Sequence, residues 1–182
     1  MGSTIGGKKN VKIFVLYLMG NINYPLDFIT LNDIVMQTDY VMYLDFAEGF
    51  HEMLRDSLIE VAYKDESGTE FYRVTNRGRF VAAELKSDIL DVILDQSLAC
   101  ALRYLDFKRR NVKVECSSEK QGNDFIMHCS FIEAGKVLFK LDLVVDSENR
   151  VERMKENFRE RPETIFRGVN ALLAGNVNYL FD

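Results

Sequence analysis

The sequence predicts an α+β fold in two successive parts, each of which combines helices with an antiparallel β segment. A chain of 182 residues, of which 47% are hydrophobic, is large enough to bury a core. Apolar residues at helical spacing alternate with short period-two runs around glycine-containing turns. No long linker separates the two parts, so we expect them to be packed rather than tethered.

Three short helices are predicted at the start of the chain. Apolar residues at helical spacing indicate a first helix that ends near Gly20 and a second that is capped by Thr30. Asp45 and Glu48 have the spacing of a capping box, which predicts that a third helix begins at Phe46.

A β-hairpin and a fourth helix are predicted next. Strands over residues 58–63 and 71–74 flank a turn, and Thr75 caps the helix that follows. Three helices, a hairpin and a returning helix, in this order, are typical of the winged helix-turn-helix. We therefore predict such a domain over residues 11–86, after a flexible tail over residues 1–10. An unrelated small α+β domain is the alternative.

Residues 87–182 are predicted to form an α+β domain for dimerisation or effector sensing. Its first element is a long helix from Ser87 to about Arg110, whose apolar residues cover more than one stripe. A helix that is apolar over so much of its circumference must pack on two sides. Such a helix either joins the two domains or meets a second subunit, and from this excess of apolar residues we expect a homodimer.

A three-stranded antiparallel meander and two C-terminal helices complete this domain. A two-residue turn at Gly122-Asn123 would place Cys116 opposite Cys129 on a buried face, where reduced packing residues are expected rather than a redox pair. A second turn at Ala134-Gly135 adds the third strand. The last helix is predicted to open near Pro162.

Composition excludes several classes of protein. The formal net charge is −5 at pH 7 and the pI is about 5.2, so any DNA contact must come from local basic clusters. The apolar runs are too short for a membrane span, and we expect a cytoplasmic protein. The sequence contains neither a metal-binding cysteine pattern nor a nucleotide or catalytic motif, which predicts neither a cofactor nor an enzyme. His51 and His128 have no evident companions for a metal or catalytic site.

Double-stranded DNA is the predicted partner of the N-terminal domain. In this fold the third helix enters the major groove, while the hairpin and flanking cations hold phosphates. The candidate DNA-binding residues are Lys8, Lys9, Lys12, Tyr43, Ala47, His51, Lys64, Arg73, Arg77 and Arg79. Asp45, Glu48, Glu52 and Asp56 lie on or beside the same helix and would repel phosphate. Two hypotheses therefore stay open: a homodimeric transcriptional regulator, or a winged-helix module that binds a protein partner instead of DNA.

Four segments of the chain resemble an uncharacterised bacterial family, known as domain of unknown function four-three-six-four. The segments read VKIFVLYL (11–18), FHEMLRDSLIE (50–60), YRVTNRG (72–78) and ENFRERPETI (156–165). The VTNRG piece (74–78) is also similar to the wing-exit motif of PadR-type and MarR-type regulators. The resemblance implies a winged-helix N-terminus and a role in transcription, and it brings no ligand, activity or catalytic residue.

Overall fold

The computed structural model describes residues 5–175, and in that range the protein is a mixed α+β structure with seven α-helices and two antiparallel sheets. It divides into two compact units, one up to Arg103 and one from Tyr104. This division lies inside the long helix, later than the boundary expected after residue 86. The first turns of that helix belong to the N-terminal unit, and the hydroxyl of Tyr17 donates a hydrogen bond to Asp95 of the helix at 3.4 Å.

The N-terminal unit contains the four expected helices and the expected hairpin. Its elements are α1 (Lys8–Ile22), β1 (Leu26–Asp27), α2 (Phe28–Met36), α3 (Tyr43–Arg55), β2 (Ile59–Lys64), β3 (Glu70–Val74) and α4 (Asn76–Leu85). A 3-10 turn (Lys86–Asp88) then leads to the long helix, α5 (Asp91–Arg109). The sheet order is β1-β3-β2, with all pairs antiparallel.

The strand β1 is an addition to the predicted hairpin. Leu26 pairs with Tyr72 and Asp27 with Phe71, so the sheet has three strands where the sequence predicted two. A two-residue strand is too short to show period-two alternation, which explains why the sequence pattern does not reveal it. The predicted cap of α2 is also wrong. Asp27 is the N-cap and accepts a hydrogen bond from the backbone N–H of Thr30 at 2.9 Å.

The prediction of a flexible tail over residues 1–10 is wrong for the second half of that range. α1 already begins at Lys8, and Ile5 is buried. Asn10 Nδ2 donates a hydrogen bond to the carbonyl oxygen of Ile5 at 2.8 Å. This bond and the burial of an apolar side chain fix the segment to the unit, which a glycine-rich sequence does not suggest.

Two further helix starts differ from their predictions. α3 begins at Tyr43 rather than Phe46 and has no side-chain cap, so Asp45 and Glu48 lie inside the helix instead of starting it. α5 begins at Asp91 rather than at Ser87, because the 3-10 turn precedes it. Helix ends are set by tertiary packing as well as by local caps, and packing is not visible in spacing alone.

The core of the N-terminal unit is built around α1 and an aromatic cluster. The buried residues of α1 are Val11, Ile13, Phe14, Val15, Leu16, Leu18, Met19 and Ile22. The ring of Phe50 in α3 packs edge-on against Tyr72 of β3 and against Phe28 of α2, at centroid distances of 4.9 Å in both cases. These contacts connect α3 to the sheet and to α2.

The turn from the hairpin into α4 is tightly packed. Thr75 is the N-cap, as predicted, and its hydroxyl oxygen accepts from the backbone N–H of Gly78 at 3.1 Å. The same hydroxyl donates to the carbonyl oxygen of Ser57 at 2.9 Å. A Cβ atom built on Gly78 would overlap the carbonyl oxygen of Leu58 and lie 2.8 Å from Cγ2 of Val74. Only glycine fits here.

The C-terminal unit is the predicted meander followed by two helices. Its elements are β4 (Lys113–Gln121), β5 (Asp124–Glu133), β6 (Lys136–Val145), α6 (Glu148–Glu160) and α7 (Pro162–Leu173). The strands are antiparallel in the order β4-β5-β6. The predicted register is confirmed, since Cys116 lies opposite Cys129. Gly122, Ala134 and Gly135 all have positive φ in the two tight turns.

One face of this sheet forms the core of the C-terminal unit. The residues that build it are Met127, Cys129, Phe131, Val145, Val151 and Phe158. The ring of Phe131 is fully buried and stacks on Phe158 of α6 at 4.7 Å between centroids. The opposite face of the sheet carries mainly polar side chains, among them Ser117, His128 and Asp142 in one cross-strand row.

Candidate nucleic-acid interface

Helix α3 has one buried face and one exposed face. The buried residues are Phe46, Gly49, Phe50 and Met53. Tyr43, Ala47 and His51 follow one another at four-residue spacing and therefore share another side of the helix. Tyr43 and His51 are exposed, Ala47 is half-buried, and the neighbouring Leu44 is 68% exposed. The three predicted reading residues thus lie together on a surface that a ligand can reach.

Two carboxylates of α3, those of Glu48 and Glu52, contact lysines of α1. Glu48 forms an ion pair with Lys8, and Glu52 accepts a hydrogen bond from Lys12 at 2.7 Å. The hydrogen bond from Lys12 and its positive charge lower the pKa of Glu52 below its usual value. The sequence predicts Lys8 and Lys12 as phosphate contacts. In the structure their positive charges neutralise Glu48 and Glu52 of α3.

The hairpin cations are also paired in the structure. Lys64 lies 2.7 Å from Glu70, and Arg73 lies 2.7 Å from Glu60 on the neighbouring strand. These pairs are exposed on both sides, and exposed pairs are worth about 0–1 kcal/mol each. A phosphate group can replace such a carboxylate at little cost.

The tip of the hairpin is organised by one aspartate. Asp65 accepts hydrogen bonds from the backbone N–H groups of Ser67 and Thr69, both at 2.9 Å. The hydroxyl of Ser67 donates to the same carboxylate and is the main reason that the pKa of Asp65 is lowered. The left-handed conformation of Gly68 closes the turn. The tip carries the acids Asp65 and Glu66, so contacts with phosphate are expected from the strands rather than from the tip.

The other predicted cations have different surroundings. Lys9 pairs with Asp88 at 2.7 Å. Arg79 donates to the carbonyl oxygen of Gly20 at 3.0 Å and to Oδ1 of Asn23 at 2.9 Å, so it joins α4 to the end of α1. Its first role in the structure is therefore to hold two helices together.

Arg55 is a cation that the sequence analysis missed. It follows His51 by four residues in the last turn of α3, its side chain is 72% exposed, and its Nε lies 3.4 Å from Asp56. The four-residue spacing from Ala47 through His51, inside the predicted third helix, could have identified it. Arg77 in α4 is exposed, and within residues 5–175 it forms no ion pair.

A second polar cluster lies on the C-terminal sheet, beside a cavity of about 680 Å³ on β4 and β5. Nδ1 of His128 lies 2.7 Å from Asp142, and its Nε2 lies 3.7 Å from Glu119. Strand pairing thus brings His128 beside two acids that are far from it in the chain, which the sequence pattern does not reveal. Within residues 5–175, however, no three potential ligands are arranged to hold a metal ion.

The hydrogen bond to Asp142 raises the pKa of His128 above its ordinary value of 6.5. Its contribution to stability is therefore complete below pH 6.5 and is lost as the pH rises through the raised pKa of the folded protein. We expect Asp142→Asn to lower the pKa of His128 in an NMR titration, with Asp124→Asn as the control. An unchanged His128 titration in Asp142→Asn would contradict this pairing.

The two facing cysteines are free thiols with their sulfur atoms 3.5 Å apart. Burial raises the pKa of Cys129 to about 12. The reactive thiolate of Cys129 is therefore disfavoured at neutral pH, and the side chain serves the packing of the sheet. This environment is unlike that of a catalytic cysteine.

Comparison with known proteins places the chain in a family. Within residues 5–175 each helix is either too short or too polar to cross a membrane. Neither the curated proteins nor the solved structures contain a match to the chain. The family model described as Domain of unknown function (DUF4364) matches residues 11–173, and the resemblance of the four segments is thereby confirmed. Because this match covers most of the chain, the protein belongs to the DUF4364 family.

Proposed function

We propose that the protein is a cytoplasmic transcriptional regulator of the winged-helix type that binds double-stranded DNA as a homodimer. The observation that carries the proposal is the exposed side of α3. It bears Tyr43, Ala47, His51 and Arg55 at four-residue spacing, while Glu48 and Glu52 of the same helix are paired with lysines of α1. A helix that exposes hydrogen-bond donors while two of its carboxylates are neutralised by lysines suits a base-reading role.

The order of elements supports the same function. α2 and α3 are followed by the β2–β3 hairpin, and in winged helix-turn-helix proteins of this order α3 is the reading helix. A helix of 13 residues is about 20 Å long, which suits the major groove. The short strand β1 and the Thr75–Gly78 turn hold the hairpin against the helices.

Each cation has a distinct proposed role. Arg55 and His51 can donate to guanine N7 and O6 or to nearby phosphates. Lys64, Arg73 and Arg77 would contact phosphates and fix the register of the protein on the duplex. For Lys64 and Arg73 this requires that a phosphate replace the carboxylate of Glu70 or Glu60. Such an exchange costs little free energy at exposed positions. In this proposal the C-terminal unit has no catalytic role and serves dimerisation or effector sensing.

Salt dependence tests the proposal. We expect binding to duplex DNA to weaken steeply as salt rises, since each phosphate contact releases counterions. Arg73→Gln should weaken binding and reduce the slope of log K against log salt by about 1. Fluorescence anisotropy with a labelled duplex measures both effects. The matched control is Arg109→Gln, which removes an arginine from α5 whose side chain is 83% exposed. A slope that is equal in wild type and Arg73→Gln would contradict the role of Arg73.

A protein-interaction module without DNA binding is the second candidate. The pairing of Lys8, Lys12, Lys64 and Arg73 with carboxylates favours it, because paired cations attract a polyanion less strongly. The exposed apolar residues Leu44 and Ile29, both 68% exposed, suit a protein partner better than phosphate. Lack of duplex binding at low salt would support this second function.

A further inference from the structure

The strand β6 has an open edge. It pairs with β5 on one side, and within residues 5–175 no strand pairs with its other side. It contains ten residues, with neither proline nor glycine among them. The opposite edge of the sheet is different, since Arg159 of α6 donates to the carbonyl oxygen of Cys116 in β4 at 3.2 Å. An open edge of this length presents backbone donors and acceptors to a further strand.

The side chains of β6 are complementary to a second copy of the same strand. Lys140 and Asp142 flank Leu141 on either side. If two copies pair antiparallel with Leu141 opposite itself, each Lys140 lies opposite Asp142 of the second copy. Phe139 then lies opposite Leu143 of the second copy. Cross-strand pairs of opposite charge and of apolar residues are the pairs that stabilise a sheet.

Neighbouring registers lack this complementarity. A two-fold axis at Lys140 would place two lysines opposite each other, and an axis at Asp142 would place two aspartates together. A register in which one strand is shifted by a single residue would place the core-facing Leu141 opposite the exposed Lys140 or Asp142 of the second copy. The β-bulge between Phe131 and Ile132 ends the regular part of the sheet, so the pairing extends from Phe139 to Leu143. Among the registers centred on residues 140 to 142, only the one at Leu141 therefore satisfies both charge and burial.

We propose that two copies of the chain associate through β6, antiparallel about a two-fold axis at Leu141, to form a continuous six-stranded sheet. This inference assigns an interface to the homodimer of the proposed function and rests on that part of it alone. Lys140 and Asp142 are both exposed in the single chain. Oδ1 of Asp142 is held by His128 at 2.7 Å, whereas its Oδ2 makes only the weak contact with Lys140, 3.9 Å from Nζ, and this contact can be exchanged for one across the interface.

Charge reversal tests both the interface and its register. Lys140→Asp alone places carboxylates opposite each other in both symmetric pairs, and Asp142→Lys alone does the same with ammonium groups. We expect each single variant to lower the dimer association constant by about 30-fold. An equimolar mixture of the two variants regains complementary pairs in a heterodimer. The mixture should therefore recover an association constant near that of the wild type in sedimentation velocity.

Controls separate this interface from others. Lys120→Asp makes the same charge change on an exposed lysine of β4, and its association should equal that of the wild type. The double variant Lys140→Asp/Asp142→Lys should dimerise as well, which shows that the single variants do not act by unfolding. A reduced dimer in Leu102→Asp, with Lys140→Asp unaffected, would place the interface on α5 and overturn the proposal.

Two further outcomes keep this inference distinct from DNA binding. A wild-type chain that is monomeric at micromolar concentration, whether or not it binds DNA, would overturn the β6 interface. A wild-type dimer that shows the charge-reversal pattern but never binds duplex DNA would support the β6 interface and contradict the regulatory function. Sedimentation and anisotropy on the same samples distinguish the two failures.

Discussion

Replacing Gly78 by alanine is expected to lower the free energy of unfolding of the N-terminal unit by about 3 kcal/mol. The added Cβ would overlap the carbonyl oxygen of Leu58, a backbone atom that cannot rotate away, and would lie 2.8 Å from Val74 Cγ2. The Leu58 carbonyl already accepts a hydrogen bond from the backbone N–H of Thr75 at 3.0 Å. Relief of the clash must therefore move the hairpin away from α4. Denaturant unfolding followed by circular dichroism measures the change.

Gly20→Ala is the matched control for this prediction. Gly20 lies in α1, and a Cβ there would have its nearest heavy atom, Arg79 Nη1, at 4.0 Å. Alanine is a better helix former than glycine by about 1 kcal/mol, so this variant should be as stable as the wild type or more stable. If Gly78→Ala were as stable as Gly20→Ala, the tight packing of the turn from the hairpin into α4 would be refuted.

Replacing Phe131 by alanine is expected to lower the free energy of unfolding of the C-terminal unit by about 3–5 kcal/mol. Phe131 is fully buried, and its ring contacts four other aromatic rings. Those rings belong to Phe107, Phe139, Phe158 and Phe166. The cavity left by the ring would lie at the point where β5 meets α6, α7 and the end of α5. Thermal or denaturant unfolding checks this value.

Leu173→Ala provides the contrast for the core variant. Leu173 is 82% exposed at the end of α7, so its truncation should change stability by less than about 0.5 kcal/mol. Equal effects of the two variants would mean that Phe131 does not organise the core.

Local patterns predicted much of the fold. The register of β4 and β5 follows from the Gly122-Asn123 turn alone, because a two-residue hairpin fixes every pair along both strands. Thr75 as the cap of α4 is equally local. The strand β1 is different, since its two residues become a strand only by pairing with Tyr72 and Phe71 far along the chain. The start of α3 at Tyr43 likewise depends on packing and does not follow from the capping-box spacing of Asp45 and Glu48.

The candidate interface was predicted less completely than the fold. The four-residue spacing of Tyr43, Ala47 and His51 is a property of one helix and is visible in the sequence. The pairing of Lys12 with Glu52 joins residues that are 40 positions apart, so no local pattern reveals it. For this reason the carboxylates of α3 seemed to oppose DNA, whereas in the structure two of them are paired with lysines of α1.

Hydrogen–deuterium exchange, with and without a bound duplex, tests the DNA-binding surface most directly. Exchange reports the protection of individual segments, so it identifies the surface itself rather than affinity alone. We expect slower exchange in α3 (Tyr43–Arg55) and in the β2–β3 hairpin when DNA is present, with β4 to β6 unchanged. Unaltered exchange in α3 under conditions where duplex is bound would contradict the assignment of this helix as the reading element.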